Sequence, residues 1–206
     1  MVTILYIVAA LLAVLIIGLV IVVVRLSRQA PTMLESRNRR RGKHGEELVA
    51  QVLGKDIEGV RRVLTNYRFF RGDKVREVDH ILIDARGVFV IETKNWKGKV
   101  FGHDDDESWT QILGNDDIVH AHENPVRQNS GHVYHLRGVL KGVLPEGLWL
   151  NALVVFVQNN VEHIESDDVV ALSVLQSKLE SFPEGALSAQ DIERIYAALL
   201  AARYRE

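Results

Sequence analysis

The sequence predicts an α/β domain with a mixed central sheet flanked by helices, preceded by one N-terminal transmembrane helix. Three observations predict it. An uncharged apolar run opens the chain. Two stretches rich in β-branched residues meet at a turn within residues 77–94. Apolar residues at helical spacing recur on either side of them. The 206 residues, 47% of them hydrophobic, leave room for one ordinary domain and an extra segment. The absence of cysteine excludes a disulfide framework and any thiolate metal site.

The extra segment is Val2 to Val24, which contains no charge. A helix of that length covers about 34 Å at ~1.5 Å per residue, enough to cross a bilayer. A cleaved signal peptide would want a basic start, a shorter apolar core and a small-residue cleavage site, which this run lacks. Arg25, Arg28, Arg37, Arg39, Arg40, Arg41 and Lys43 follow, against Glu35 alone. Such a flank marks the cytoplasmic side. The expected organisation is an anchor over 1–25, a basic juxtamembrane linker over 26–41 and a domain over 42–206. The protein is then a single-pass cell-membrane protein with its N-terminus outside and its domain in the cytoplasm. The anchor meets lipid, and the basic run suits lipid headgroups or nucleic-acid phosphate as well.

His44 to Lys55 reads as the first domain helix, with Leu48, Val49, Val52 and Leu53 as its buried stripe. Glu46 lies on an adjoining face. A glutamate in a first turn also complements the helix dipole. Val60 to Phe70 reads as a strand, and Arg71-Gly72-Asp73-Lys74 turns into the next one. That strand carries Glu77-Val78-Asp79-His80 and ends at the tetrad Asp84-Ala85-Arg86-Gly87, with Asp first and Gly last. Gly87 through Lys94 returns. Val88, Val90, Glu92 and Lys94 share one face, and Phe89, Ile91 and Thr93 share the other.

If Ile83 pairs with Val88, Asp79 falls opposite Glu92, with Cβ atoms about 4.5–5.5 Å apart. Two ionised carboxylates so close repel unless a cation lies between them. A divalent metal with oxygen ligands resolves the conflict, with Lys94 beside it. A bulged three-residue loop would instead bring Thr93 opposite Asp79. A structural ion-pair cluster of Asp79, Glu92 and Lys94 satisfies the same residues.

After Lys94, Asn95-Trp96-Lys97-Gly98 turns and Lys99 to Gly102 forms a short strand. His103 to Ser108 reads as an acidic loop without the alternating ligands and glycine of an EF-hand. His120 and His122 read as loop residues that make no metal site by themselves. Pro125 opens a helix to about Leu140, with Gln128, His132 and His135 on one face. The two histidines read as surface residues. Leu148 to Gln158 and Val169 to Val174 read as strands, and Leu175 to Phe182 as a short helix. Ser188 and Asp191 cap a last helix whose stripe is Ile192, Ile195, Tyr196, Leu199 and Leu200. No chemistry shows itself in residues 141–206.

Several of these stretches together resemble the nuclease-related domain (NERD) family of the restriction-endonuclease-like, PD-(D/E)XK, superfamily. They are Gly42-Lys43-His44-Gly45-Glu46-Glu47, Glu77-Val78-Asp79-His80, Gly87-Val88-Phe89-Val90-Ile91-Glu92-Thr93-Lys94-Asn95, Gly98-Lys99-Val100, Trp109 and Asn124-Pro125-Val126-Arg127-Gln128-Asn129, within residues 42–140. Val78 stands where the wider superfamily has proline. The resemblance implies a restriction-endonuclease-like fold and metal-dependent hydrolysis of phosphodiester bonds in nucleic acid, DNA ahead of RNA. It implies Asp79 and Glu92 as ligands of Mg²⁺ or Mn²⁺, Glu46 as a helper through water with Glu47 as its alternative, Lys94 on the attacking water or the phosphate, and Gln128 as an orienting amide. Residues 42–206 hold 19 Lys and Arg against 26 Asp and Glu, a net of −7. That balance counts against strong duplex binding unless metal and a local basic strip offset it. Arg61, Arg62, Arg68, Arg71, Lys74, Arg76, Lys97 and Lys99 are candidates for the strip. The alternatives are a catalytically silent nucleic-acid- or protein-binding module tethered to the membrane, and a membrane-associated scaffold.

Overall fold

The computed structural model describes residues 6, 12, 14–22, 25, 33–114 and 118–204, and the chain divides into two compact units, Met1–Arg41 and Gly42–Glu206. Much of the expected membrane span, 2–24, lies outside the described residues. Residues 14–22 are helical, with their large apolar side chains at least half exposed. Among the described residues no helix is long and apolar enough to cross a membrane.

Helix α1 covers Met33–Leu53. It therefore begins inside the stretch expected to be a linker and ahead of the expected start at His44. Its charged first half has good helix formers but no buried stripe, so periodicity locates only the second half. The helix closes at Gly54, which takes φ +78 and donates its N–H to the Ala50 carbonyl, a left-handed cap that glycine adopts without strain.

The main sheet contains β1 (Arg61–Arg71), β2 (Lys74–Asp84), β3 (Gly87–Lys94), β7 (Leu150–Phe156) and β9 (Val169–Ala171), in the order β1-β2-β3-β7-β9. The first three are antiparallel neighbours, and β3-β7 and β7-β9 are parallel, so the expected mixed sheet is present. A parallel pair needs a long crossover. Between β3 and β7 it consists of β4 (Lys99–His103), β5 (Ser108–Leu113), β6 (Ile118–Glu123) and helix α2 (Pro125–Val139). Helices α3 (Leu175–Glu180) and α4 (Ala189–Ala202) follow. The α4 N-terminus carries the Ser188–Asp191 capping box.

β3 is central and buried on both sides, hence its unbroken apolar run. Val88 and Val90 pack with Leu136 and Leu140 of the α2 end and with Ile192, Ile195 and Leu199 of α4. Phe89 and Ile91 pack with Val49 and Leu53 of α1 and with Leu175 and Leu179 of α3. Each fully buried aliphatic or aromatic side chain contributes about 1.5–3 kcal/mol relative to exposure. This two-sided clamp fixes where the polar end of β3, Glu92 to Lys94, emerges.

A second sheet, in the order β6-β5-β4-β8 with β8 at His163–Glu165, was not expected. His120 and His122 lie in β6 and not in a loop, and the acidic stretch shrinks to a turn between β4 and β5. Most of β6 is exposed, so it lacks the apolar alternation that reveals a strand, and β8 is too short to show a period. The expected strand at Val169 stops at Ala171 and gives way to a 3-10 turn, Leu172–Val174. Trp109 anchors this sheet, fully buried with Val100, Val126, Val154 and Phe156. Gly102 lies flat against its indole, where a Cβ would come within 2.3 Å of the ring.

Candidate active site

The site forms where β2 and β3 separate. Asp84 pairs with Gly87 across a two-residue turn, and Ile83 pairs with Val88 as the tetrad predicts. The ladder runs to His80 opposite Ile91, and one step further along this register lie Asp79 and Glu92. Asp79 leans across the gap: the Thr93 N–H donates to its Oδ2 at 2.8 Å. On the other side of β2, Asn66 takes φ +48, a left-handed conformation asparagine tolerates better than most residues. Thr65 and Asn66 are both exposed between buried Leu64 and Tyr67, so side-chain alternation slips by one opposite Asp79. The pairing register is unchanged across it, with Thr65 opposite His80 and Tyr67 opposite Val78.

Glu92, Lys94 and Gln128 close a triangle. The Lys94 ammonium donates to Glu92 Oε1 at 2.6 Å and to Gln128 Oε1 at 3.0 Å, while Gln128 Nε2 donates to Glu92 Oε1 at 2.9 Å. Both charged members are largely buried, and Trp96 lies 5.7 Å from the ammonium. Asn129, wholly buried, donates to the carbonyls of Val90 and Leu153 and so ties α2 to β3 and β7. The side chain of Asn124 caps the start of the same helix. These contacts hold Gln128 in reach of the β3 end.

The electrostatics are those of a crowded carboxylate site. Burial first, then the charges of Glu92 and Glu46, push the Asp79 carboxyl up to about 7, against the Thr93 hydrogen bond and Lys94. The Glu46 carboxyl is raised too, by burial and then by Glu77, Glu92 and Glu47. Gly45 brings α1 close to the end of β3, its Cβ position lying 3.0 Å from Asn95 Cβ. Glu46 nonetheless joins the site by its field and not by convergence. Among the described residues no three His, Asp or Glu side chains gather at metal-holding distance. The donor chemistry still fits a hard divalent cation: two desolvated carboxylates, one with a strongly raised proton affinity, and no nitrogen or sulfur ligand between them.

Two histidines lie deeper than their sequence positions suggest. His80 is buried under α1, and burial lowers its imidazole to about 4. The Glu46 backbone beside it opposes that shift, although neither ring nitrogen completes a hydrogen bond of ordinary geometry. His132, expected at the surface, is buried with Nε2 3.8 Å from Glu92 Oε2. His135 stacks on Phe69 with centroids 4.4 Å apart. The i, i+4 spacing from Gln128 was the available signal for His132.

Three of the eight residues of the expected basic strip face carboxylates. Arg62 binds Glu193 at 2.5 Å and Asp56 at 2.9 Å, Arg68 binds Glu77 at 2.7 Å, and Arg61 lies 3.8 Å from Asp84. A cleft of about 370 Å³ adjoins the triangle and is lined in part by Arg76, Arg127, Gln128 and His132.

Comparison with known proteins is consistent with these motifs. A family described as the nuclease-related domain, NERD, matches residues 41–157. An uncharacterized Bacillus anthracis protein, pXO1-01, is 30% identical over 166 residues, spanning 79% of this chain and 76% of its own. The crystal structure of protein VC1899 from Vibrio cholerae aligns over 73% of this chain and 33% of that one, at 16% identity and a TM-score of 0.29. The chain thus matches about a third of that protein's length.

Proposed function

Because the chain belongs to the nuclease-related domain (NERD) family, we propose that its site hydrolyses phosphodiester bonds of nucleic acid, DNA ahead of RNA, with a divalent cation, Mg²⁺ or Mn²⁺. The observation that carries this reading is the half-buried Asp79 beside the buried Glu92, with Lys94 and Gln128 against Glu92. Asp79 and Glu92 would hold the cation, with Glu46 acting through water. When bound, such a cation supplies Lewis-acid polarisation of the phosphoryl oxygen and a more acidic water.

The chain's own groups divide the remaining work. The Lys94 ammonium is the positive charge of the site. It is shared between Glu92 and Gln128 at rest and can reach charge developing on the phosphoryl oxygens. Gln128 holds the ammonium and Glu92 in register. Asp79, its carboxyl raised to about 7, keeps part of its proton near neutral pH, and its ionised form would be the one that holds a cation. The site around them is acidic, with Glu46 and Glu77 nearby, so phosphate approaches favourably only once a cation offsets those charges.

Residues 2–24 form the membrane anchor in this proposal, with the domain on the cytoplasmic side behind the arginine run. A catalytically silent binding module is the second reading. It is favoured by Glu92 Oε1, which already receives both Lys94 and Gln128.

Cleavage of labelled single- and double-stranded DNA and RNA, with and without Mg²⁺ or Mn²⁺, tests the reading. Metal-dependent cleavage lost in Asp79→Asn and Glu92→Gln supports it. Cleavage unchanged in both variants would assign the activity to a contaminant.

A further inference from the structure

We propose that the cleft beside Gln128 and His132 carries a single nucleic-acid strand, with Arg76 and Arg127 taking phosphates that flank the reacting one. The inference rests on the nuclease reading for the location of the chemistry and adds the substrate class. The cleft, about 370 Å³, shares Gln128 and His132 with the site. Both residues also face Glu92, through Nε2 at 2.9 Å and Nε2 at 3.8 Å. A strand lying in the cleft therefore runs directly into the Glu92–Lys94 corner.

The two arginines differ from five others of the domain. Arg61, Arg62, Arg68, Arg86 and Arg194 each face a carboxylate. The Arg76 side chain makes no hydrogen bond or ion pair with any described residue, and it is exposed on the cleft wall. The exposed guanidinium of Arg127 donates to the backbone carbonyl of Asp105, so its charge meets no carboxylate among the described residues. A guanidinium free of a carboxylate beside a site is matched to bidentate phosphate binding. Val75, 41% exposed, adds an apolar wall for a base.

The same charges argue against a duplex. Duplex DNA presents about one negative charge per 1.7 Å of axis and needs a broad cationic surface. Here Arg68 beside the cleft is taken up by Glu77, and Glu77 and Glu123 also line the cleft. Two cations within a volume suited to a small ligand fit a few nucleotides of one strand.

Fluorescence anisotropy of the full chain in detergent micelles tests this, with a labelled oligothymidylate and a blunt duplex in Mg²⁺. A Lys94→Ala background keeps the strand intact. The single strand should bind at least about tenfold more tightly than the duplex. Arg76→Ala and Arg127→Ala should each weaken it about tenfold, the loss expected for one charged hydrogen-bonding group. Two phosphate contacts give a slope of log K against log salt of about −1.4, and each alanine should bring it to about −0.7. Arg76→Lys should keep the slope while losing part of the affinity, and it replaces the alanine should that variant melt early. Lys141→Ala, on the exposed end of the segment after α2, should change neither quantity.

Equal duplex binding, or a slope unchanged in both arginine variants, overturns the assignment. Arginine-dependent strand binding by a parent chain that never cleaves would sink the nuclease reading alone. Cleavage with arginine-independent binding would sink the cleft assignment alone.

Discussion

The two ends of the β2–β3 hairpin each bury a carboxylate, and they have opposite characters. At the turn, Asp84 accepts the Arg86 N–H at 2.8 Å and faces the guanidiniums of Arg86 and Arg61 at 3.6 and 3.8 Å. At the open end, Asp79 accepts one backbone N–H and otherwise meets the fields of Glu92 and Glu46, with Lys94 in weaker opposition. Burial alone therefore does not distinguish a structural carboxylate from a reactive one. The sign of the neighbouring charge does: Asp84 is neutralised by its own chain, and Asp79 is left needing a proton or a cation.

The largest effect expected from that difference is catalytic. Lys94→Ala should leave metal binding intact while cleavage falls by about 10²–10³, the usual loss for one preorganised stabilising group. If Lys94 only neutralises Glu92, its removal should instead lower the melting temperature or tighten metal binding, with no cleavage by the parent to lose.

A smaller effect separates the two aspartates by stability. Asp84→Ala removes the shared partner of Arg61 and Arg86 and the acceptor of the Arg86 N–H, and should cost about 1–3 kcal/mol, with the response to Mg²⁺ or Mn²⁺ unchanged. Asp79→Asn removes a repelling charge, so in metal-free buffer at pH 7 it should cost little or even stabilise. It should also abolish the rise in melting temperature that added metal produces in the parent by mass action. A full metal-induced rise in Asp79→Asn would place the cation elsewhere and end the contrast between the two ends.

Local chemistry accounts for what the sequence made legible. The tetrad Asp84 to Gly87 admits a short turn, and the alternation of Val88, Val90 and Glu92 against Phe89 and Ile91 assigns each to a face, so register and facing partners follow from period-two geometry. Gln128 was reachable only through the family resemblance of Asn124 to Asn129. Long-range choices were not legible. Arg62 finds Glu193 across 131 positions of sequence, and nothing near either residue announces the other. His80 and His132 are unremarkable by composition and are distinguished only by burial. Asn66 looks like any strand asparagine until its φ of +48 is seen. The start of α1 and all of β6 are hidden for a common reason: exposed elements carry no apolar period to read.

The smallest effect is in the pH dependence of stability, where two adjacent residues oppose each other. Asp79 titrates near 7 in the fold against an ordinary value of 3.8. Between those values the folded state keeps a proton that the unfolded chain has lost, so this residue makes stability fall as pH rises from about 4 through 7. His80 titrates near 4 against an ordinary 6.5. Below 6.5 the unfolded chain takes a proton that the buried imidazole refuses, so this residue makes stability fall as pH drops from 6.5 through 4. Over the shared window the two slopes cancel, and in metal-free buffer the parent's dependence from this pair should be nearly flat. Asp79→Asn should expose the histidine, with stability rising by up to about 1.4 kcal/mol per pH unit between 4 and 6.5. His80→Asn should expose the aspartate and reverse the sign, continuing to pH 7. Saturating Mg²⁺ should flatten the His80→Asn curve near neutrality, because a cation at Asp79 displaces the proton that generates the slope. Chemical denaturation across pH 4–8 reads all three curves. An Asp79→Asn curve parallel to the parent would show that Asp79 ionises like an ordinary aspartate, leaving the open end of the hairpin no different in kind from the turn.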